Sequence, residues 1–123
     1  MLGAYDSYVK ATGAVYDNTT HFLRIPVEQY NNLQSLFFTA DDTSYELNAN
    51  AQVFPRTLNT IIGGDVDHLY LIVYDLGPPQ SAGFDLDFVL GMPFLERYYS
   101  IFDNDYPRVG FASTRFTNAT DIN

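Results

Sequence analysis

Acidic side chains outnumber basic ones in this sequence, with fifteen Asp and Glu against six Lys and Arg and a net charge of −9. Asp65-Val66-Asp67-His68 follows two glycines and could offer carboxylate and imidazole ligands to a divalent metal. It supplies no fourth ligand, so we interpret it as a solvated acidic loop. Asp103-Asn104-Asp105 begins like a calcium loop but lacks the mid-loop glycine and the terminal glutamate, which favours a hairpin turn. We therefore predict no metal and no cofactor.

Nucleophilic catalysis has no support in the pattern of side chains. The chain has no cysteine, and its two histidines, His21 and His68, lie 47 positions apart. No serine occupies the glycine-flanked turn of a nucleophile elbow, so a Ser-His-Asp triad is not indicated. Asp85 and Asp87 alternate with Phe and Leu, which predicts the exposed face of an edge strand rather than a catalytic pair.

The composition argues against two classes of partner. One lysine, Lys10, and five arginines cannot form the basic patch that a phosphate backbone requires, so we predict no nucleic-acid binding. An acidic membrane surface would repel the chain, and no apolar run is long enough to span a bilayer, so we predict no membrane binding. The ten tyrosines could stack on sugars, although tyrosine in a β domain more often packs in the core.

Two tripeptides have the acceptor pattern for N-linked glycosylation, Asn18-Thr19-Thr20 and Asn118-Ala119-Thr120. The first lies in a predicted polar turn and the second in a predicted polar tail, where a glycan can be accommodated. Asn18 and Asn118 are therefore candidate glycosylation sites.

Most of the elements that position these residues are predicted strands in a single domain, residues 1–123. A helix is expected over residues 3–12, because its apolar residues have helical spacing and Gly13 follows as a C-terminal cap. Short helical turns are expected at residues 26–33 and 50–54, and residues 57–62 are ambiguous. Strands are expected at residues 22–25, 36–40, 43–47 and 69–76, and residues 113–123 are expected to form a polar tail that frays.

The chain is organised around residues 84–103. Val89 and Leu90 are adjacent apolar residues, so an extended segment would point one to each side and both faces would need cover. Gly91 would end that strand where a side chain would obstruct a turn or a close backbone approach. Pro93 suits the first turn of a short helix, and residues 98–102 and 108–112 form a predicted hairpin around a turn at residues 103–107.

This stretch and residues 108–112 resemble the closing segment of pepsin-like aspartic peptidases. The resemblance extends upstream through residues 45–47 and 51–56, and the chain is similar in particular to the enzymes secreted by basidiomycete fungi. The resemblance implies an all-β fold with a few short helices, equivalent to a truncated C-terminal lobe of the bilobal peptidase. It implies that Val89-Leu90-Gly91 is the hydrophobic-hydrophobic-Gly element that braces a catalytic loop. It also implies that Phe88 and Val89 border the substrate cleft and that the protein is secreted, although from the residues alone we expect no signal peptide before the fold.

The catalytic motifs of the resembling family have no counterpart in this sequence. That family holds each catalytic aspartate in an Asp-Thr-Gly or Asp-Ser-Gly loop, and both Asp42-Thr43-Ser44 and Asp6-Ser7-Tyr8 lack the glycine. The family's second motif falls just before the helix that starts near Gly3. We therefore predict a fragment or short divergent relative that is proteolytically inactive alone. The alternative is a non-catalytic secreted protein that uses the lobe as a scaffold to bind protein or glycan.

Missing neighbouring strands would leave apolar surface uncovered, and exposed apolar surface drives association. We predict that the chain forms a homodimer or pairs with a complementary peptidase fragment, through the face around Leu71, Val89 and Leu90.

Overall fold

The computed structural model describes residues 3–77, 88–121 and 123. Its strands are β1 (Val15–Tyr16), β2 (Leu23–Pro26), β3 (Leu36–Ala40), β4 (Thr43–Leu47), β5 (His68–Leu71), β6 (Tyr98–Asp103) and β7 (Arg108–Ser113). Its α-helices are α1 (Ala4–Thr12) and α2 (Met92–Leu95), and three short 3₁₀ helices span Val27–Asn32, Asn50–Gln52 and Arg56–Ile62. The described chain is mostly sheet with a few short helices, as predicted. None of its helices is long and apolar enough to cross a membrane.

The helix α1 and a three-stranded sheet form the first half of the fold. The predicted glycine cap is confirmed, because Gly13 has φ 65° and donates its N–H to the Val9 carbonyl at 2.9 Å. The sheet has the order β1-β2-β5 and is antiparallel throughout. A first core fills the space between helix and sheet, and its buried members are Tyr8, Ala14, Leu23, Ile25, Val53, Leu69 and Leu71.

The predicted strand over residues 69–76 is too long. The structure ends β5 at Leu71, and residues 72–77 have no strand structure. Leu71 pairs with Leu23, the first residue of β2, so β2 has no residue left to pair with Ile72. The Ile72 N–H donates instead to the Gln52 carbonyl at 2.9 Å, beside the bridge between Leu71 and Val53. The sequence remains rich in apolar residues after Leu71, but β2 offers no further residue with which a longer strand could pair.

The strands predicted at residues 36–40, 43–47, 98–102 and 108–112 are confirmed, and they form two separate β-hairpins, β3–β4 and β6–β7. The Asp41-Asp42 tip lies between β3 and β4, with Asp41 at φ 50°. Both hairpins pack on α2 through a second core, whose buried members are Leu47, Ala51, Phe94 and Tyr98. The Phe94 ring stacks on Tyr98 at 4.6 Å and meets Phe111 edge to face at 5.1 Å.

The buried amide of Gln52 links the two halves. Its Nε2 donates to the carbonyls of Gln34 at 2.8 Å and Leu47 at 3.0 Å. Its Oε1 accepts from the Tyr8 hydroxyl at 3.0 Å, and burial raises the pKa of Tyr8. Because a buried polar group without partners would be costly, these bonds fix the positions of α1 and β4 relative to each other.

The expectation that the polar tail frays is wrong. Arg97 is buried, and its guanidinium donates to the Phe116 carbonyl at 3.2 Å, the Ala119 carbonyl at 2.7 Å and the Asn50 side-chain oxygen at 2.8 Å. The side chains of Asn50 and Asn123 each donate to the other residue's carbonyl at 3.1 Å. The end of the chain is therefore hydrogen-bonded to the second half of the fold.

Candidate functional site

The predicted cleft residues Phe88 and Val89 lie on the surface, 54% and 59% exposed. The Phe88 ring contacts the Phe38 ring of β3, with centroids 5.8 Å apart, whereas Leu90 is half-buried against the second core. Residues 88–90 have no strand structure, and the described residues place no neighbouring strand beside them. The upstream part of the predicted strand, with Asp85 and Asp87, and the turn at residues 78–83 lie outside the described residues.

Gly91 begins α2 in an extended conformation, with φ −88° and ψ −166°. Its carbonyl accepts from the N–H groups of Phe94 and Leu95 at 3.0 and 3.1 Å. A Cβ added at Gly91 would have its nearest neighbour, Pro93 Cδ, at 3.8 Å, which is ordinary contact. No described atom of this chain therefore makes the close approach that Gly91 was predicted to allow, and the bracing role stays a prediction.

The β6–β7 hairpin presents an apolar face that the described chain leaves uncovered. Residues opposite each other in the register share a face, so Tyr99 and Ala112, and next to them Ile101 and Gly110, form one face, which we call the outer face. Tyr99 is 66% and Ile101 is 51% exposed. Among the described residues no strand pairs with either edge of this hairpin. A two-stranded sheet with open edges is marginally stable by itself, so the outer face is a candidate interface.

Leu71 does not belong to the exposed surface with which it was predicted to associate. It is fully buried in the first core, where β5 pairs with β2 and bridges to Val53. Of the three residues predicted for the interface, Val89 is exposed, Leu90 is half-buried and Leu71 is excluded, because the strand of Leu71 has cover on both sides within the chain itself.

The aspartates with displaced pKa values are engaged in local turns. A hydrogen bond from the Thr19 N–H lowers the pKa of Asp17. Hydrogen bonds from the Tyr106 N–H and from the Arg108 side chain lower the pKa of Asp103. In a catalytic pair that shares one proton, one carboxyl has a raised pKa instead. These two carboxylates therefore stabilise turns and do not resemble members of a proton-sharing pair.

The carboxylate of Asp65, in the acidic loop at residues 65–68, forms hydrogen bonds within that loop. The Asp65 carboxylate lies 2.8 Å from His68 Nδ1 and accepts the N–H groups of Asp67 and His68 at 2.9 and 3.0 Å, and the His68 contact is the largest cause of its lowered pKa. The described part of the chain contains no group of three or more potential metal-binding side chains. The geometry is that of a hydrogen-bonded loop.

Three comparisons with known proteins agree with one another. The family profile "Eukaryotic aspartyl protease" matches residues 3–114. Polyporopepsin of the fungus Irpex lacteus is 55% identical over 117 residues, which are 95% of this chain and 34% of that protein. Pepsin B of the dog, Canis lupus familiaris, is 30% identical over 107 residues, covering 87% of this chain and 25% of that protein.

The same relationship holds in three dimensions. The crystal structure of aspartic proteinase from Irpex lacteus matches this chain with a TM-score of 0.85 and 54% sequence identity, over 95% of this chain and 34% of that one. The chain thus spans about a third of the length of the Irpex proteins that it matches.

Proposed function

Because this chain belongs to the eukaryotic aspartyl protease family, we propose that it forms most of the C-terminal lobe of a secreted, pepsin-like aspartic endopeptidase and hydrolyses no peptide alone. The proposal rests on one combined observation, a matching fold without the catalytic motifs. The fold matches a fungal aspartic proteinase at a TM-score of 0.85, yet the 123 residues contain no Asp-Thr-Gly or Asp-Ser-Gly. A pepsin-like mechanism needs two carboxylates that share a proton and activate one water. This chain offers the scaffold without those carboxylates.

The test is complementation at acid pH with a quenched fluorescent peptide. The chain alone, a polypeptide that carries both Asp-Thr/Ser-Gly motifs alone, and their mixture are compared. We expect cleavage only in the mixture, and we expect a pepstatin-type inhibitor to abolish it. The matched control replaces both catalytic aspartates of the complementary polypeptide by asparagine. Inhibitor-sensitive cleavage by the chain alone would overturn the proposed inactivity, and a mixture that neither associates nor cleaves would overturn the role as a peptidase lobe.

The outer face of the β6–β7 hairpin is the proposed contact for the complementary polypeptide, or for a second copy of this chain when that polypeptide is missing. The support is the exposure of Tyr99 and Ile101, together with hairpin edges that pair with no strand of the described residues. Ile101→Lys is expected to weaken association at least tenfold in sedimentation velocity, whereas Val66→Lys, at an exposed position in the acidic loop, should leave it unchanged. Equal association of both variants would exclude the outer face.

The proposed roles of Phe88, Val89 and Gly91 belong to the completed peptidase. The exposure of Phe88 and Val89 supports a position at the substrate cleft. In the complemented enzyme Val89→Ala is expected to raise KM with little change in kcat. Gly91→Ala is expected to leave the isolated chain stable, since the added Cβ has room, and to lower kcat of the completed enzyme if Gly91 braces the catalytic loop.

A second candidate function is non-catalytic recognition of protein or glycan. It is favoured by three tyrosines that lie on the surface instead of in the core, Tyr74, Tyr99 and Tyr106, each at least 65% exposed. A glycan array and a protein-binding screen with the purified chain test it. Binding that survives in the triple Tyr→Ala variant would remove this support.

A further inference from the structure

Both N-glycosylation tripeptides follow an aromatic residue at the same distance, Tyr16 two positions before Asn18 and Phe116 two positions before Asn118. We propose that both asparagines carry N-linked glycans and that the first N-acetylglucosamine of each packs on the ring of that aromatic residue. The inference rests on the proposed function in one respect, because the chain would be glycosylated in its native organism only if it is secreted there.

The chemistry is a transfer from a lipid-linked oligosaccharide pyrophosphate, which the secretory pathway supplies. The asparagine Nδ2 forms a bond to C1 of the first sugar, the bond from C1 to the pyrophosphate oxygen breaks, and the amide gives up one proton as the lipid pyrophosphate leaves. Threonine two positions after the asparagine completes the acceptor pattern in both sites.

At the first site, Asn18 is exposed in a turn that its neighbours hold closed. Asp17 donates its N–H to the Phe22 carbonyl at 2.9 Å and accepts the His21 N–H on its carbonyl at 2.8 Å. The Asp17 carboxylate accepts from the Thr19 N–H and the Thr20 hydroxyl, both at 3.1 Å. None of these bonds uses the Asn18 side chain, so a glycan there disturbs no part of this network.

The aromatic residue at this site has an accessible ring in a fixed position. Tyr16 lies on β1, at the edge of its sheet, and is 45% exposed. Its hydroxyl lies 3.1 Å from His21 Nδ1, across the turn that carries Asn18. An aromatic face attracts apolar surface such as the C–H face of a sugar, and a ring already held in place loses little entropy on contact.

The second site has the same order of residues on a different support. Asn118 is exposed, and the turn around it is closed by the Ala119 N–H, which donates to the Phe116 carbonyl at 3.1 Å. The buried Arg97 guanidinium stabilises that turn, because it donates hydrogen bonds to the carbonyls of Phe116 and Ala119. Phe116 is 41% exposed, but the Arg115 guanidinium lies 4.5 Å from its ring centroid and occupies part of it. We therefore expect a larger stabilising effect of the glycan at Asn18.

The first experiment measures occupancy. The chain is expressed in yeast behind an added secretion leader, so that failure of this inference and failure of the proposed peptidase role are separate results. Intact mass after endoglycosidase H should show two retained N-acetylglucosamines on total protein, one in Asn18→Gln and one in Asn118→Gln. Thr120→Ser should keep the second glycan and Thr120→Ala should lose it. An unmodified chain would overturn the assignment.

The second experiment measures the contact with the ring by thermal unfolding of the single-N-acetylglucosamine form against the unglycosylated chain. We expect the sugar on Asn18 to raise Tm by about 2–4 °C, the size of a weak aromatic contact in a domain of this length. In Tyr16→Ala the same sugar should raise Tm by less than half as much. An equal rise in both backgrounds would overturn the stacking part of the proposal.

Discussion

Replacing Arg97 with methionine is expected to destabilise the chain by about 3 kcal/mol, the lower end of the range for breaking a buried charged network. Arg97 makes three hydrogen bonds, and bonds to a charged group contribute roughly 1.5–3 kcal/mol each. Part of this gain is offset, because all three acceptors are neutral and burial lowers the pKa of Arg97 by disfavouring its charge. Methionine keeps most of the volume and removes the donors.

The matched control is Arg108→Met. Arg108 lies on the surface, where its Nε pairs with the Asp103 carboxylate at 2.8 Å, and exposed pairs contribute about 0–1 kcal/mol. Urea unfolding monitored by tyrosine fluorescence should show a midpoint lowered by roughly 1–3 M for Arg97→Met and little change for Arg108→Met. Hydrogen exchange should speed up selectively at residues 114–119. If Arg97→Met costs no more than Arg108→Met, the assigned role of the buried guanidinium is wrong.

Three further outcomes follow from single contacts. Phe94→Leu should cost about 1–2 kcal/mol in urea unfolding, because four aromatic neighbours lose their partner, whereas Phe37→Leu at a 64% exposed position should cost less than about 0.5 kcal/mol. Gly64→Ala should lower stability by about 1–3 kcal/mol, because its Cβ would lie 2.5 Å from the ring of buried Tyr70. The lowered pKa of Asp103 stabilises the fold above the ordinary value of 3.8, and this contribution is lost as the pH falls through the lowered value. Asp103→Asn should therefore flatten the dependence of Tm on pH below about 4, and an unchanged slope would contradict it.

Much of the fold could be predicted from local sequence, because its signals are local. The glycine cap of α1 and both hairpins depend on residues within one or two turns of each other, and Pro93 opens α2 where it was expected. The family followed from the same stretches. The missing catalytic motifs needed no structure either, since they are a property of the printed sequence.

Contacts between distant residues could not be predicted in this way. Nothing beside Arg97 in the sequence indicates that it is buried, because its acceptors lie 19, 22 and 47 residues away. The burial of Leu71 and the exposure of Ile101 likewise depend on which strands have neighbours in space. An apolar residue in a strand looks the same in sequence whether its face is covered or open.

The amide of Gln52 has a consequence for how the chain comes apart. Each of the two cores is small, and each would be a weak unit if it melted independently. Tyr8 belongs to one core and Leu47 to the other, and both are bonded to the same side chain. If either core loosens, the buried Gln52 amide loses a hydrogen-bond partner, which costs free energy. The stability of each core thus depends on the other. We therefore expect the two cores to melt in one cooperative transition.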